Sequence, residues 1–213
     1  MCAMQAAVTT GRIKGSERRK RILDAAAEGF ATRGYHATSV GQIAEAAGIT
    51  KPVIYDHFPS KRDLFVALLE QAREELLALG VEAMRADAPP KKRVRSAVEA
   101  FFSYVDAHPA TARVLFTPPV GEPDLLVESQ RVQADATAGI ATLLAAEPGL
   151  FAGARDRRRR VEMLSEFFKQ GMHGLAIWSM DHPGVPRRAL VDTAMALVWV
   201  GLQAQLSPAD ADT

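Results

Sequence analysis

Residues 38–61, TSVGQIAEAAGITKPVIYDHFPSK, gather side chains suited to reading a polar surface rather than to breaking bonds. Lys51 offers a cation, Thr50, Tyr55 and His57 offer hydrogen-bonding groups, Asp56 an acceptor, and Pro52 and Val53 an apolar contact. Such a mixture at the front of one short helix is what contact with base edges in a major groove needs. The residues around it can position it. Val40, Ile43, Ala44 and Ala47 give one short helix an apolar face, Gly48 allows a tight turn, and Ile54 and Phe58 anchor the next helix to the same core. An ordinary helical hairpin has the same pattern, so the spacing alone leaves both readings open.

Parts for catalysis are missing elsewhere. The histidines, His36, His57, His108, His173 and His182, show no i, i+4 pair flanking a glutamate, and Cys2 has no base near it in sequence. No glycine-rich phosphate loop and no serine elbow occur. An enzyme is therefore not expected, nor a metal or a cofactor. The single cysteine cannot close an internal disulfide. Met1–Thr10 lacks the sustained apolar stretch of a signal peptide, and the apolar run Ala194–Leu202 is too short to cross a bilayer. A cytoplasmic protein with no membrane partner is expected.

The net charge of +1 conceals an asymmetry. Residues 1–62 carry ten Lys/Arg against five Asp/Glu, a net +5, whereas residues 63–213 carry a net −4. A basic head on an acidic body suits a protein whose head alone meets a polyanion; a chance fluctuation of solvated surface gives the same totals. The basic stretch GRIKGSERRKR, residues 11–21, could track phosphates beside a binding site or serve as a solubilising lead-in.

The periodicity predicts an all-α chain of about nine helices. Three short ones come first: residues 17–33, capped by Ser16 and stopped by Gly34; a segment from Ser39, with Gln42 at capping-box spacing, to Gly48; and a segment from Thr50 to about Phe58. Longer ones follow: from Ser60 to about Leu79, from Pro89-Pro90 to about Ala107, from Pro109 to near Phe116, from about Asp124 to Ala146, and over roughly 155–180 and 187–206. The expected organisation is a flexible tail over 1–15, a helix-turn-helix head over 16–62 and a dimerising, ligand-binding body over 63–213.

From Arg19 to Ala67 the chain resembles the tetracycline-repressor (TetR) family of bacterial regulators. The likeness is carried by AAAEGFATRGYHATSV, IAEAAGIT and KPVIYDHFPSKRDLF, and within them by the turn glycine, Tyr55, Phe58 and Ser60-Lys61. It implies a sequence-specific DNA-binding regulator, by family default a repressor, on a palindromic double-stranded operator. It implies that Lys51, Pro52, Val53, Asp56 and His57, behind Thr50, face bases or sugar-phosphate, and that Tyr55 and Lys61 contact phosphates. Thr38 and Ser39, at the start of a helix, would favour a further phosphate. Two positions depart from the pattern: Gly41 stands where many relatives have a base-reading arginine, and Asp56 must accept from a cytosine amino group or pair with Lys51.

The body is expected to form a homodimer and to bind an unknown small-molecule effector. A four-helix seam, the family's usual arrangement, would use Leu164, Phe168, Gly171 and Leu175 with Leu190, Ala194, Leu197 and Gly201. A largely apolar pocket would use Phe101, Phe102, Tyr104, Phe116, Met163, Phe167, His173 and Trp178, although each fits plain core equally well. The four arginines 157–160 read as a solvated face partly paired with Glu162, or as an anion site. The competing class is a helical small-molecule-binding or interaction module without operator-specific DNA binding.

Overall fold

The computed structural model describes residues 15–119, 121–147 and 149–206, so the expected tail over 1–15 lies outside them except for Gly15. These residues form nine helices: α1 Gly15–Ala37, α2 Val40–Ala46, α3 Lys51–His57, α4 Lys61–Arg85, α5 Pro90–Ala107, α6 Pro109–Phe116, α7 Pro123–Ala145, α8 Arg157–Met180 and α9 Arg187–Gln203. No strand occurs among them. The fold is all-α.

Two apolar cores organise the chain. The first is built by Ile22, Leu23, Ala26 and Phe30 of α1, Ile43 and Ala44 of α2, and Ile54 and Phe58 around α3. Leu64, Phe65, Leu68, Leu69 and Ala72 of α4 continue it, and Val114, Leu115, Leu125 and Val132 close it from α6 and α7. The 62/63 boundary expected from sequence thus falls in the first turn of α4, a helix whose apolar side is part of the head's core. The second core joins Val98, Phe102 and Val105 of α5 to Val161, Met172 and Ala176 of α8 and Leu190 to Leu202 of α9. Phe116, at the end of α6, packs against both.

Local chemistry explains most boundaries. Gly34 has φ +80°, as the expected stop requires, but the chain then makes one more turn, to Ala37. Ser16 lies inside α1 rather than capping it. Helix α4 runs to Arg85, past the stop expected near Leu79. Its Gly80 lies against α7, where an added Cβ would meet Leu143 at 3.4 Å, and this close packing outweighs the ~1 kcal/mol helix penalty of glycine. Arg157 donates to the carbonyls of Ala145, Glu147 and Leu150 at 2.8–3.0 Å, satisfying acceptors at the end of α7. Arg158 and Arg160 pair with Glu162 and Asp156.

Candidate functional site

The head presents α3 as a short helix held from behind. Ile54 and Phe58 are buried, and Gly48, at φ +67°, makes the turn out of α2 that brings the Ile49 N–H onto the Ala44 carbonyl at 2.9 Å. The expected capping box on α2 is formed. The Gln42 N–H donates to Ser39 Oγ at 3.2 Å, and the Ser39 N–H donates to Gln42 Oε1 at 2.8 Å. Thr50 caps α3 through its backbone position only, leaving its hydroxyl free of a cap bond, and Pro52 sits in the first turn. Lys51, Pro52, Tyr55 and Asp56 are exposed on the outer side, with Val53 and His57 half-buried beside them.

Gly41 has a counterpart in Lys51. An added Cβ at Gly41 would lie 2.6 Å from Lys51 Cε, so the lysine stem rests in the space a side chain on α2 would take. Asp56 makes no ion pair with Lys51 or any other cation among the described residues.

Two expected phosphate contacts are placed differently. Thr38 is 0% exposed, and its hydroxyl donates to the carbonyls of Gly29 and Gly34, both at 2.8 Å. It fastens the end of α1 instead of facing outward. Lys61 Nζ donates to the carbonyls of Tyr35 at 2.9 Å and Thr38 at 3.2 Å and lies 4.1 Å over the Tyr35 ring. Its charge supports the α1–α4 junction.

In the body, α4, α5, α7 and α8, with Leu115 of α6 and Val198 and Leu202 of α9, surround a cavity of about 140 Å³. The wall is almost wholly apolar, with Leu77, Met84, Phe101, Ile140, Leu144 and Phe168 prominent. Arg73, Gln133, Lys169 and His173 are its polar members. Of the pocket residues expected from sequence, Phe101 and His173 line it, and Phe116 stacks on His173 with centroids 4.1 Å apart. Phe102 is buried in the second core. Tyr104 turns toward α4 and donates to Glu75 at 2.9 Å; burial and the Glu75 charge push its pKa up. Met163, Phe167 and Trp178 lie on the outer surface, not on the cavity wall.

The expected seam residues are split in the opposite sense. Leu164 and Phe168 line the cavity, Leu175 packs on the second core, and Leu190 and Ala194 are buried in it. Gly171, Leu197 and Gly201 are exposed. The outward apolar face of α8 and α9 is therefore Met163, Phe167 and Trp178 with Leu197 and Val200, and Phe167 and Leu197 are each 76% exposed. Sequence reasoning missed the α7 wall, Gln133, Ala136, Ile140 and Leu143, although its i, i+3, i+7, i+10 spacing was the signal that could have found it.

Lys169, Glu166 and His173 lie together on one stretch of α8. Lys169 is buried and donates to Glu166 Oε2 at 2.9 Å, Thr137 Oγ1 at 2.8 Å and the Gln133 carbonyl at 3.0 Å. For Glu166, burial pushes its pKa up, but hydrogen bonds from Thr137, Gln170 and Lys169 prevail and hold it down at about 2. Burial, reinforced by the Lys169 charge, lowers His173 to about 4, so its imidazole is neutral at physiological pH. Among the described residues no acidic, histidine or cysteine group could hold a metal, and no helix is long and apolar enough to cross a membrane.

Residues 22–68 match the family described as bacterial regulatory proteins, tetR family. The chain is 31% identical over 192 residues to the HTH-type transcriptional activator FasR of Mycolicibacterium smegmatis, covering 90% of this chain and 85% of that one. Its fold is similar to that of the fatty acid degradation regulator FadR from Bacillus halodurans, with TM-score 0.74 and 23% identity over 86% of this chain and 98% of the other. It is also similar to the transcriptional regulator FadR from Bacillus subtilis solved with stearoyl-CoA, with TM-score 0.65 and 20% identity over 84% and 96%. With α3 exposed on a basic head and the likeness extending through the body, the chain belongs to the tetR family of bacterial regulatory proteins and is a DNA-binding transcriptional regulator.

Proposed function

We propose that two copies of the chain associate through the outer faces of α8 and α9, read a palindromic operator duplex with their α3 helices, and release it when a fatty-acyl effector enters the cavity. The observation that carries this reading is Leu115, which lines the cavity and is also buried in the core beneath the head. An effector that shifts α6 must disturb α1 and α4 together. The apolar wall suits an alkyl chain, and a neighbour in fold holds stearoyl-CoA.

On the DNA side, Lys51, Val53, Asp56 and His57 read base edges, while Thr50, Pro52, Tyr55 and the Ser39 end of α2 meet sugar-phosphate. The exposed aromatic face supports the dimer: Phe167 and Trp178 lie on one stripe of α8, the kind of apolar surface a partner covers. It also follows from the weakness of a single seven-residue recognition helix.

At an operator overlapping a promoter this arrangement makes the chain a repressor. A second reading, in which the bound dimer promotes transcription, is favoured by the relative in Mycolicibacterium smegmatis, which is named an activator. Genome-wide footprinting of the purified chain, followed by transcript measurement after deletion of its gene, separates the two. Transcripts beside the footprints rise for a repressor and fall for an activator. Absence of any footprint at low salt contradicts both.

A further inference from the structure

Glycine is disfavoured inside a helix, yet Gly139 stands in the interior of α7. The reason lies opposite, on α4. A Cβ added at Gly139 would lie 2.8 Å from both Cδ atoms of Leu77, closer than packed carbon atoms come. Leu77 therefore leans into a space that exists because residue 139 has no side chain. Leu77 also lines the cavity, whereas Gly139 does not, and it stands midway along the α4 wall, between Arg73 and Met84.

Helices α4 and α7 run parallel here and are held together on both sides of this contact. One turn before it Arg73 pairs with Asp135 at 3.0 Å, and one turn after it Leu143 packs on Gly80. Further back, Arg131 of α7 reaches Glu70 of α4 at 2.6 Å. A side chain at position 139 thus displaces the flexible end of Leu77 and not the helices. Turning outward would carry two methyl groups toward water. Turning inward keeps them among apolar neighbours such as Phe101, Ile140 and Phe168, so the leucine moves into the cavity.

We infer that Gly139 sets the length of acyl chain that the cavity admits, by holding Leu77 back from its middle. This rests on the acyl reading above and adds a specificity determinant to it. Gly139 is a positioning residue and acts through Leu77. A chain entering from either end must pass Leu77, so an inward turn of that leucine confines the chain to one part of the cavity.

Calorimetric titration of the full chain with the S-octanoyl, S-decanoyl, S-dodecanoyl, S-tetradecanoyl and S-hexadecanoyl thioesters of N-acetylcysteamine tests this. Each methylene that enters an apolar cavity tightens binding about fourfold, and each left outside adds little. Affinity therefore rises with chain length to a limit and then levels. In Gly139→Ala the limit is expected to fall by about two carbons, leaving the longest chains about fifteenfold weaker. In Leu77→Ala the limit rises. In the double variant it equals that of Leu77→Ala, because the new methyl has no leucine to displace. Should Gly139→Ala not fold, the comparison of Leu77→Ala with the double variant carries the test. A limit in Gly139→Ala that is unchanged or longer, or one in the double variant shorter than in Leu77→Ala, overturns the inference and leaves the acyl reading standing. Failure of every thioester to bind the native chain overturns the acyl reading and this inference with it.

Discussion

Thr38 and Lys61 show how far single residues can be read without coordinates. Both occupy positions that suggest phosphate contacts, yet Thr38 is turned inward by carbonyls nine and four residues upstream. Only the bend at Gly34 brings those carbonyls within reach. That bend was legible; its consequence for Thr38 was not, because a hydroxyl's partner is set by tertiary approach. Tyr55 and Lys51 are both exposed, and the roles proposed for them separate by experiment. Tyr55→Ala should weaken binding to operator and to random duplex by similar factors, since phosphate contacts carry little sequence information. Lys51→Ala should instead relax preference at one base pair per half-site, by about 1–3 kcal/mol if it reads a guanine. Competition titrations with single-base operator variants distinguish them, and equal loss of specificity in both variants contradicts the division. His173 gives a pH signature. Its folded pKa lies below its ordinary value, so the unfolded chain binds the extra proton first. Stability therefore falls as pH drops from about 6.5 toward 4, by an amount on the order of 1–3 kcal/mol. In His173→Phe urea midpoints should lose most of that decline, and an unchanged pH profile contradicts a buried neutral imidazole.

Helix α8 is where sequence reading of an element ran out. Apolar residues stand on more than one of its faces, and such a pattern gives no single phase from which to tell cavity from outer face. The ridge Leu164, Phe168 and Leu175 was expected at a seam and packs inward; Met163, Phe167 and Trp178 were expected around a ligand and point out. One residue of register, about 100° of rotation, exchanges the two assignments. The short helix α2 was legible because it carried a capping box, a turn glycine after it and one apolar side. Neighbouring residues on α8 should therefore behave differently. Phe167→Glu should dissociate subunits, because a buried unpaired charge costs several kcal/mol, whereas Phe168→Ala should leave the oligomer intact and enlarge the cavity. Sedimentation velocity on both proteins decides this, and a dimer persisting in Phe167→Glu removes this face from consideration.

For the whole molecule, the basic head and acidic body were visible as a split in charge, and the likeness to the family covered the head strongly. What could not be read was that the two share a core. Helix α4 enters the body without interruption, Phe116 of α6 packs on both cores, and Leu115 belongs to the first core while lining the cavity. On the proposed reading, a ligand beside α6 changes the angle of the head and, in a dimer, the separation of two recognition helices that must meet half-sites about 34–36 Å apart. Such coupling is reciprocal: if an acyl ligand weakens operator binding a hundredfold, about 2.7 kcal/mol, operator must weaken ligand binding by the same factor. The most direct measurement is titration of the full chain with S-dodecanoyl-N-acetylcysteamine, alone and saturated with operator duplex. A dissociation constant raised by operator to the same extent that the ligand raises the operator's own is the predicted result, and identical ligand affinity in the two titrations contradicts the coupling of cavity to head.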